Sequence, residues 1–463
     1  MKVLKFGGTS VGTVETLRNV KSIVRSCAGE QTVVVVSALG GLTDKLIATA
    51  NKAAAGDGSW RTDHAAMIER HLHIIDALIP ESKHDAVAKA VGYLLAQLGD
   101  DYANIAAEAD RTVATPVMDR IVSYGERCSS AIVANMIEGA ERFNSMNFIK
   151  TVDRKDRHAL DNEASQPLIR RTFEGWEGEI AVVPGFISRD SADDHITNLG
   201  RGGSDYTAAI LAAALGARVL EIWTDVDGFL SADPRIIDTT RVIDTMTFVE
   251  AMDLCNFGAK VVYPPTIYPV FHKNIPIYIK NTFNPDAPGT RIAEQAARYG
   301  SGPAFKGISA KGDFCMITLE GPKIDRVRDL DSRILNAPGR ASIDIFPVVT
   351  MPLTQAPRVA LAVEDSSADE AVRTLRDEFA AEISDGLISD ITVKHGVAKV
   401  AAVGHTLRHD LAYASQLAEL MAGEGLTMLA VSRAESDTNI AFLVSSTELP
   451  AALRIVHDAM ISI

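Results

Sequence analysis

Cysteine is scarce in this chain. Its four cysteines (Cys27, Cys128, Cys255 and Cys315) lie far apart in 463 residues and form no C-x-x-C pair. A disulfide scaffold is thereby excluded and no zinc pattern exists, so the thiols read as reduced, mostly buried apolar groups. Long apolar runs are missing too. Stretches such as Val33–Val36 and Ala208–Leu215 fall well short of the ~20 residues that span a bilayer. The first residues, Met1 to Phe6, lead straight into a glycine turn, without an apolar h-region or a cleavage-site pattern. A cytoplasmic location is expected, with no membrane partner. Positive charge is in deficit: 46 lysines and arginines stand against 60 acids, for a net charge of -14. A nucleic-acid partner is therefore not expected. Two nucleotide motifs are absent as well. The G-x-x-x-x-G from Gly7 to Gly12 is followed by Thr13 rather than lysine, so it is no P-loop, and no G-x-G-x-x-G occurs.

What is present is ordinary globular material, 47% hydrophobic, in a chain too long for one core, since single cores stop growing near ~250–300 residues. The first part alternates short β-branched runs with helical stretches. Strands are expected at Lys2–Phe6, Thr32–Val36, Phe148–Val152, Glu179–Val183, Arg218–Thr224 and Ile275–Ile279. Helices are expected over Val14–Cys27, Leu42–Ala54 and most of Asp63–Gly139, where Pro116 starts a new one. The almost wholly apolar Thr32–Val36 and the strand–helix alternation argue for an α/β fold with a parallel sheet between helices. A polar seam at Ala293–Ser301 ends this region. Beyond it, strand, helix, strand, strand, helix, strand is read twice over. The first run comprises Asp313–Glu320, a helix near Asp325–Leu335, Ser342–Val348, Arg358–Val363 and Ala368–Ala380. The second comprises Ala398–Val403, Asp410–Gly423, Thr427–Arg433, Asn439–Val444 and Pro450–Ala459. This pattern reads as a duplicated ferredoxin-like βαββαβ module. The expected domains are 1–295, 303–390 and 391–463.

Several loops carry residues suited to chemistry. In Lys5-Phe6-Gly7-Gly8-Thr9-Ser10, a glycine pair between strand and helix lets a backbone approach a phosphate, or simply makes a tight turn. Lys5, two residues earlier, favours the phosphate reading. Ser37-Ala38-Leu39-Gly40-Gly41-Leu42-Thr43-Asp44 repeats the pattern, with Thr43 or Asp44 as an N-cap in the plainer reading. In Gly200-Arg201-Gly202-Gly203-Ser204-Asp205, the arginine offers a planar fork for a carboxylate or phosphate. Asp205 either caps the following helix or orients a lysine or metal-bound water. Thr224-Asp225-Val226-Asp227-Gly228 follows a strand. Asp225 and Asp227 either hold Mg²⁺ through water or form an Asx-rich turn, and the two readings weigh equally. Glu126 lies inside a helix beside Arg127, in poor geometry for an ion pair. It is either a solvated carboxylate or, on a buried face, a partner for a ligand amine or a distant cation. Lys260 taken alone reads as a surface lysine. The eleven histidines fall outside these loops, apart from His195 nearby, so no general base is apparent.

Four strings occur in order: Lys5-Phe6-Gly7-Gly8-Thr9-Ser10-Val11, Arg201-Gly202-Gly203-Ser204-Asp205, Trp223-Thr224-Asp225-Val226-Asp227-Gly228 and Phe257-Gly258-Ala259-Lys260-Val261. Together they closely resemble the aspartate kinases of the amino-acid kinase superfamily, which carry two ACT modules after the catalytic domain. The resemblance implies a mostly parallel sheet sandwiched by helices, followed by two ferredoxin-like modules. It implies ATP and Mg²⁺, the substrate L-aspartate, an amino-acid effector at the ACT modules, and a homodimer or larger homo-oligomer. On this sequence, Lys5, Phe6, Gly7, Gly8, Thr224, Asp225, Leu230, Arg235, Lys260 and Val261 would face ATP. Ser37, Thr43, Glu126, Arg201, Gly203 and Ser204 would face aspartate, with Arg201 on a carboxylate and Glu126 towards the α-amino group. Lys5, Asp205 and Arg201 would be catalytic, Asp205 organising the lysine. Departures are Leu230, where related chains often carry tyrosine, and Tyr263, in place of a common histidine. In the first module, Gly321–Arg326 and Met351–Pro357 also diverge, so inhibition by lysine or threonine is not assumed. Alternatives are a kinase for glutamate, acetylglutamate or carbamate, a catalytically silent sensor, and the kinase half of a kinase–homoserine dehydrogenase.

Overall fold

The computed structural model describes residues 1–108, 112–154, 157–294, 305–348, 358–404, 412–433 and 438–462. The chain divides into two compact units. The first holds Met1–Phe229, Asp244–Phe248 and the stretch from Val261 to Ala296; the second holds Leu230–Ile243, Val249–Lys260 and the remainder.

The first unit is built on β1 (Lys2–Phe6), β2 (Thr32–Val36), β3 (Ala140–Arg142), β6 (Ile180–Pro184), β9 (Leu220–Thr224), β10 (Thr245–Met246), β11 (Ile277–Asn281) and β12 (Thr290–Ile292). These form one sheet in the order β10-β12-β11-β9-β1-β2-β6-β3. All neighbours are parallel except β11 and β12. Every residue of β2 is buried, as its valine run predicts for a strand covered on both faces. Its neighbours β1 and β6 share that burial. Helices α1 (Val14–Arg25), α2 (Leu42–Ala54), α3 (Trp60–Leu78), α4 (Glu81–Ala107) and α5 (Thr115–Met136) contribute to one large apolar core with β1 and β2. The break expected near Pro116 is real, with that proline in the first turn of α5. A smaller sheet, β5-β4-β7-β8, combines β4 (Lys150–Arg154), β5 (Arg157–Leu160), β7 (Ile187–Asp190) and β8 (Ile196–Asn198). Helices α6 (Asn162–Phe173) and α7 (Gly203–Leu215) complete the set that bears on the site.

In the large sheet β1 lies between β2 and β9: the chain first builds β2, β3 and β6 on one side of β1, then crosses back to build β9 to β12 on the other. That is the switch point where α/β sheets open a crevice at their strand ends. The loops after β1, β2 and β9 are three of the motif loops.

In the second unit β14 (Phe346–Val348), β15 (Arg358–Glu364), β13 (Gly307–Glu320), β16 (Asp390–Val403), β18 (Asn439–Ser445) and β17 (Ala430–Arg433) form, in that order, one antiparallel sheet. Helices α8 (Leu330–Arg340) and α9 (Ala368–Glu378) pack on one half, and α10 (Ala412–Gly423) and α11 (Leu449–Ser462) on the other. The ferredoxin-like pattern is therefore present twice, but β13 and β16 run through both halves. These strands begin six and eight residues before the expected Asp313 and Ala398. Gly312-Asp313 and His395-Gly396 interrupt the apolar pattern without ending the ladder, which continues past an irregularity between Lys311 and Phe314. The helix expected from Asp325 begins at Leu330, after a 3-10 turn at Ile324–Arg326. Met351–Pro357, most of the seam and Asp410 lie outside the described residues.

Candidate functional site

The two glycine turns converge at the switch point. A side chain on Gly40 would put its Cβ 2.9 Å from the Gly8 carbonyl oxygen, so only glycine lets the turns after β1 and β2 touch. Beside them opens a cavity of about 630 Å³. Its lining includes Lys5, Gly8, Ser37, Thr43, Glu126, Arg201, Gly203, Ser204 and Asp205. The predicted substrate residues are thus brought together with Lys5, Gly8 and Asp205, although the set comes from four separate stretches of chain. The N-termini of α2 and α7 both reach the cavity, and their unpaired N–H groups add positive potential there. Both helices are capped by left-handed glycines, Gly41 and Gly202. Thr43 and Asp44 are therefore first-turn residues and not the N-cap, a correction that frees the Thr43 hydroxyl from capping.

Lys5 is almost wholly buried, and its Nζ lies 2.5 Å from Asp205 Oδ1. Of the two readings of Asp205, orientation of a lysine is the one the geometry matches. Arg201 is exposed at the cavity and has no ion-pair partner among the described residues. Its loop is pinned at Gly202, whose φ is +65° and whose added Cβ would fall 2.3 Å from the Tyr263 Cβ. The divergent Tyr263 thus packs on the arginine loop.

Glu126 is 3% exposed, so the solvated reading is wrong. Its Oε1 accepts the Ala38 N–H at 3.1 Å, and its Oε2 is buried with no hydrogen-bond partner among the described residues. Burial pushes its pKa up to about 8, the Ala38 N–H only partly opposing this. A buried carboxylate with one open oxygen on a cavity wall is a receptor for a cation. One hydrophobic neighbour explains the glycine before it: a Cβ on Gly125 would clash with Ala38 Cβ at 2.7 Å.

After β9, the Thr224 hydroxyl donates to Asp225 Oδ1 at 3.1 Å, and the Asp225 carboxylate is otherwise exposed. Asp227 Oδ1 accepts from the side-chain amides of Asn281 (2.8 Å) and Asn284 (3.1 Å), the structural alternative for that residue. Val261 belongs to the first unit. Leu230, Arg235 and Lys260 belong to the second, where Leu230 bridges to Val242 and Arg235 forms a fork-to-fork ion pair with Asp233. Lys260 is exposed and acts electrostatically on Asp233.

Sequence reasoning missed Asp119, His158 and Asn198. Asp119 lies seven residues before Glu126, hence on the same face of α5 two turns earlier, and it lines the cavity with Asn198. That spacing was the available signal. His158 was set aside with the other histidines.

An α/β switch-point crevice with glycine turns, a buried lysine and an exposed arginine marks a class of proteins whose sites suit phosphate and carboxylate groups. Within that class the chain belongs to the amino acid kinase family, whose profile matches residues 1–281. It is 30% identical to the bifunctional aspartokinase/homoserine dehydrogenase of Haemophilus influenzae, over 99% of this chain and 56% of that protein. The lysine-sensitive aspartokinase 3 of Escherichia coli is 27% identical, over 98% of both chains. The crystal structure of E. coli aspartokinase III in complex with aspartate and ADP superimposes with a TM-score of 0.81 and 26% identity, over all of both chains. The chain thus spans little more than half the length of the bifunctional relative. No described helix is long and apolar enough to cross a membrane.

Proposed function

We propose that this chain is an aspartate kinase. It transfers the γ-phosphoryl group of ATP to the side-chain carboxylate of L-aspartate, giving ADP and 4-phospho-L-aspartate, the first step towards lysine, threonine and methionine. One observation carries this reading above acetylglutamate and carbamate, neither of which has a free ammonium: the cavity offers an open buried carboxylate, Glu126 Oε2, and a guanidinium, Arg201, unpaired among the described residues. That pair fits an ammonium and a carboxylate of one small zwitterion. Thr43, Ser37, Gly203 and Ser204 complete the acceptor side. Lys5, Phe6, Gly7, Gly8, Thr224, Asp225, Leu230, Arg235, Lys260 and Val261 are assigned to ATP. Asp225, whose carboxylate only Thr224 engages among the described residues, would face the hydrated Mg²⁺ that accompanies the nucleotide, whereas Asp227 is occupied by two amides.

The attacking carboxylate is already an anion, so no general base is needed, consistent with a cavity without histidine. The obstacle is electrostatic. Two unit charges 4 Å apart repel by about 4 kcal/mol at an effective dielectric near 20. Lys5, Arg201 and the helix N-termini supply compensating positive charge in an acidic chain. Asp205 holds the Lys5 ammonium so that it does not collapse onto another acid. The enzyme is placed in the cytoplasm as a homodimer or larger homo-oligomer, with an amino-acid effector at the ferredoxin-like sheet. The 56% coverage of the H. influenzae relative supports one further reading, that the chain is the kinase part of a longer bifunctional protein. The test is ADP release with aspartate, glutamate, acetylglutamate and carbamate, with the acyl phosphate trapped by hydroxylamine. Aspartate-dependent hydroxamate is expected. No ADP release with any acceptor would mean a silent sensor.

A further inference from the structure

The loop that carries Arg201 runs from the end of β8 to the start of α7, and it is tied down from a direction the motif does not reveal. Asp119 of α5 is 6% exposed, and its two oxygens serve different segments. Oδ1 accepts the Asn198 side-chain amide at 2.6 Å, and Oδ2 faces His158 Nε2 at 2.8 Å. The Asn198 side-chain oxygen in turn accepts the Gly200 N–H at 2.8 Å, one residue before Arg201. On its other side His158 Nδ1 lies 2.5 Å from Asp153 Oδ1. A continuous line of polar contacts therefore leads from β4 and β5 through a buried carboxylate into the backbone of the arginine loop. The loop needs such a tie, because Gly200 and Gly202 both sit in the left-handed region and neither offers a side chain to anchor it. Asp119 also shares its helix face with Glu126, so the two acids on rigid α5 set the positions of both poles of the cavity.

We propose that Asp119, acting through Asn198, is the positioning residue that sets where the Arg201 guanidinium meets the acceptor's carboxylate, and so governs acceptor affinity. This rests on the reading of Arg201 as the carboxylate partner. Both Asp119 oxygens are engaged by protein groups, so the residue acts through the loop and not on the substrate. Asp119→Ala removes both contacts. Asp119→Asn keeps an acceptor for Asn198 and can turn its amide towards His158.

The test has two arms. The first uses the ligand-free protein and no activity: the rate at which trypsin cuts after Arg201. Asp119→Ala and Asn198→Ala are expected to raise it about tenfold or more, since loop cleavage follows local opening, with Asp119→Asn between them and the parent chain. The second is steady-state kinetics. Asp119→Ala is expected to raise KM for aspartate about ten- to a hundredfold with kcat and KM for ATP within about threefold, and Asn198→Ala to add nothing to it in the double variant. An unchanged cleavage rate overturns the proposal. An Asp119→Asn variant as impaired in KM as Asp119→Ala also overturns it, since the carboxylate charge would then act directly on the substrate. A parent chain inactive with aspartate refutes the functional assignment, and the cleavage arm still decides whether Asp119 holds the loop.

Discussion

Glu126 shows how one residue changes meaning with burial. A carboxylate whose folded pKa lies near 8 binds a proton that the unfolded chain, titrating near 4.5, has already lost. Between those values the native state holds more protons, so its stability falls as pH rises through that window and is level above it. Glu126→Gln should therefore stabilise the ligand-free protein, by roughly 1–3 kcal/mol at pH 8 and by little at pH 5, as read from melting curves at both. The same logic couples binding to protons. An ammonium brought to Oε2 favours the ionised form, so aspartate binding near pH 7 should release a proton, seen as a binding heat that varies with the buffer's ionisation enthalpy. Glu126→Gln should abolish that dependence. At Lys5 the two partners must be separated. Lys5→Ala should lower kcat roughly 10²–10³-fold, and it leaves Asp205 as an unpaired, partly buried acid at a cost of about 1–3 kcal/mol. Adding Asp205→Ala should restore much of that stability and none of the turnover. Arg201→Ala should raise KM for aspartate about 10–100-fold, the worth of a charge-assisted pair of hydrogen bonds, and an unchanged KM would place Arg201 outside the acceptor site.

Among the elements, strand β16 carries the oddest residue of the second unit. Lys399 Nζ sits 4.8 Å from the ring centroids of Phe257 and Phe314 and 5.0 Å from that of Phe346. Burial lowers its pKa to about 8, with Lys311 adding repulsion. Between pH 8 and 10.5 the unfolded chain holds the proton and the native state does not, so this group makes stability rise with pH there. Each ring offers some cation–π attraction, but desolvation is the larger influence. Lys399→Met is therefore expected to raise the melting temperature at pH 7 and to lose that advantage by pH 10. Elements were legible where one physical rule sufficed. The valines of β2 announced a doubly covered strand. The extra length of β13 and β16 was not legible, because ladder hydrogen bonds continue through Gly312 and Gly396 while side-chain alternation lapses.

At the scale of the whole molecule, the chain has separate apolar cores, one under the parallel sheet and others on the antiparallel sheet. Calorimetry should therefore resolve more than one transition, with Glu126→Gln shifting one and Lys399→Met another. A single transition moved equally by both changes would mean that the units unfold as one. The assignment of Leu230–Ile243 and Val249–Lys260 to the second unit was invisible from sequence, since both segments lie within the stretch that reads as one catalytic region.

By itself the sequence determined the fold class, the duplicated pattern and the glycine loops that line the cavity, because strand burial, glycine turns and helix starts are local properties written in neighbouring residues. Only the tertiary structure decided that Glu126 is buried with one oxygen open, that Asp205 holds Lys5, that Asp227 is spent on two amides and that Asp119 ties the arginine loop. Those facts depend on desolvation and on contacts between segments tens to hundreds of residues apart, which no local spacing encodes.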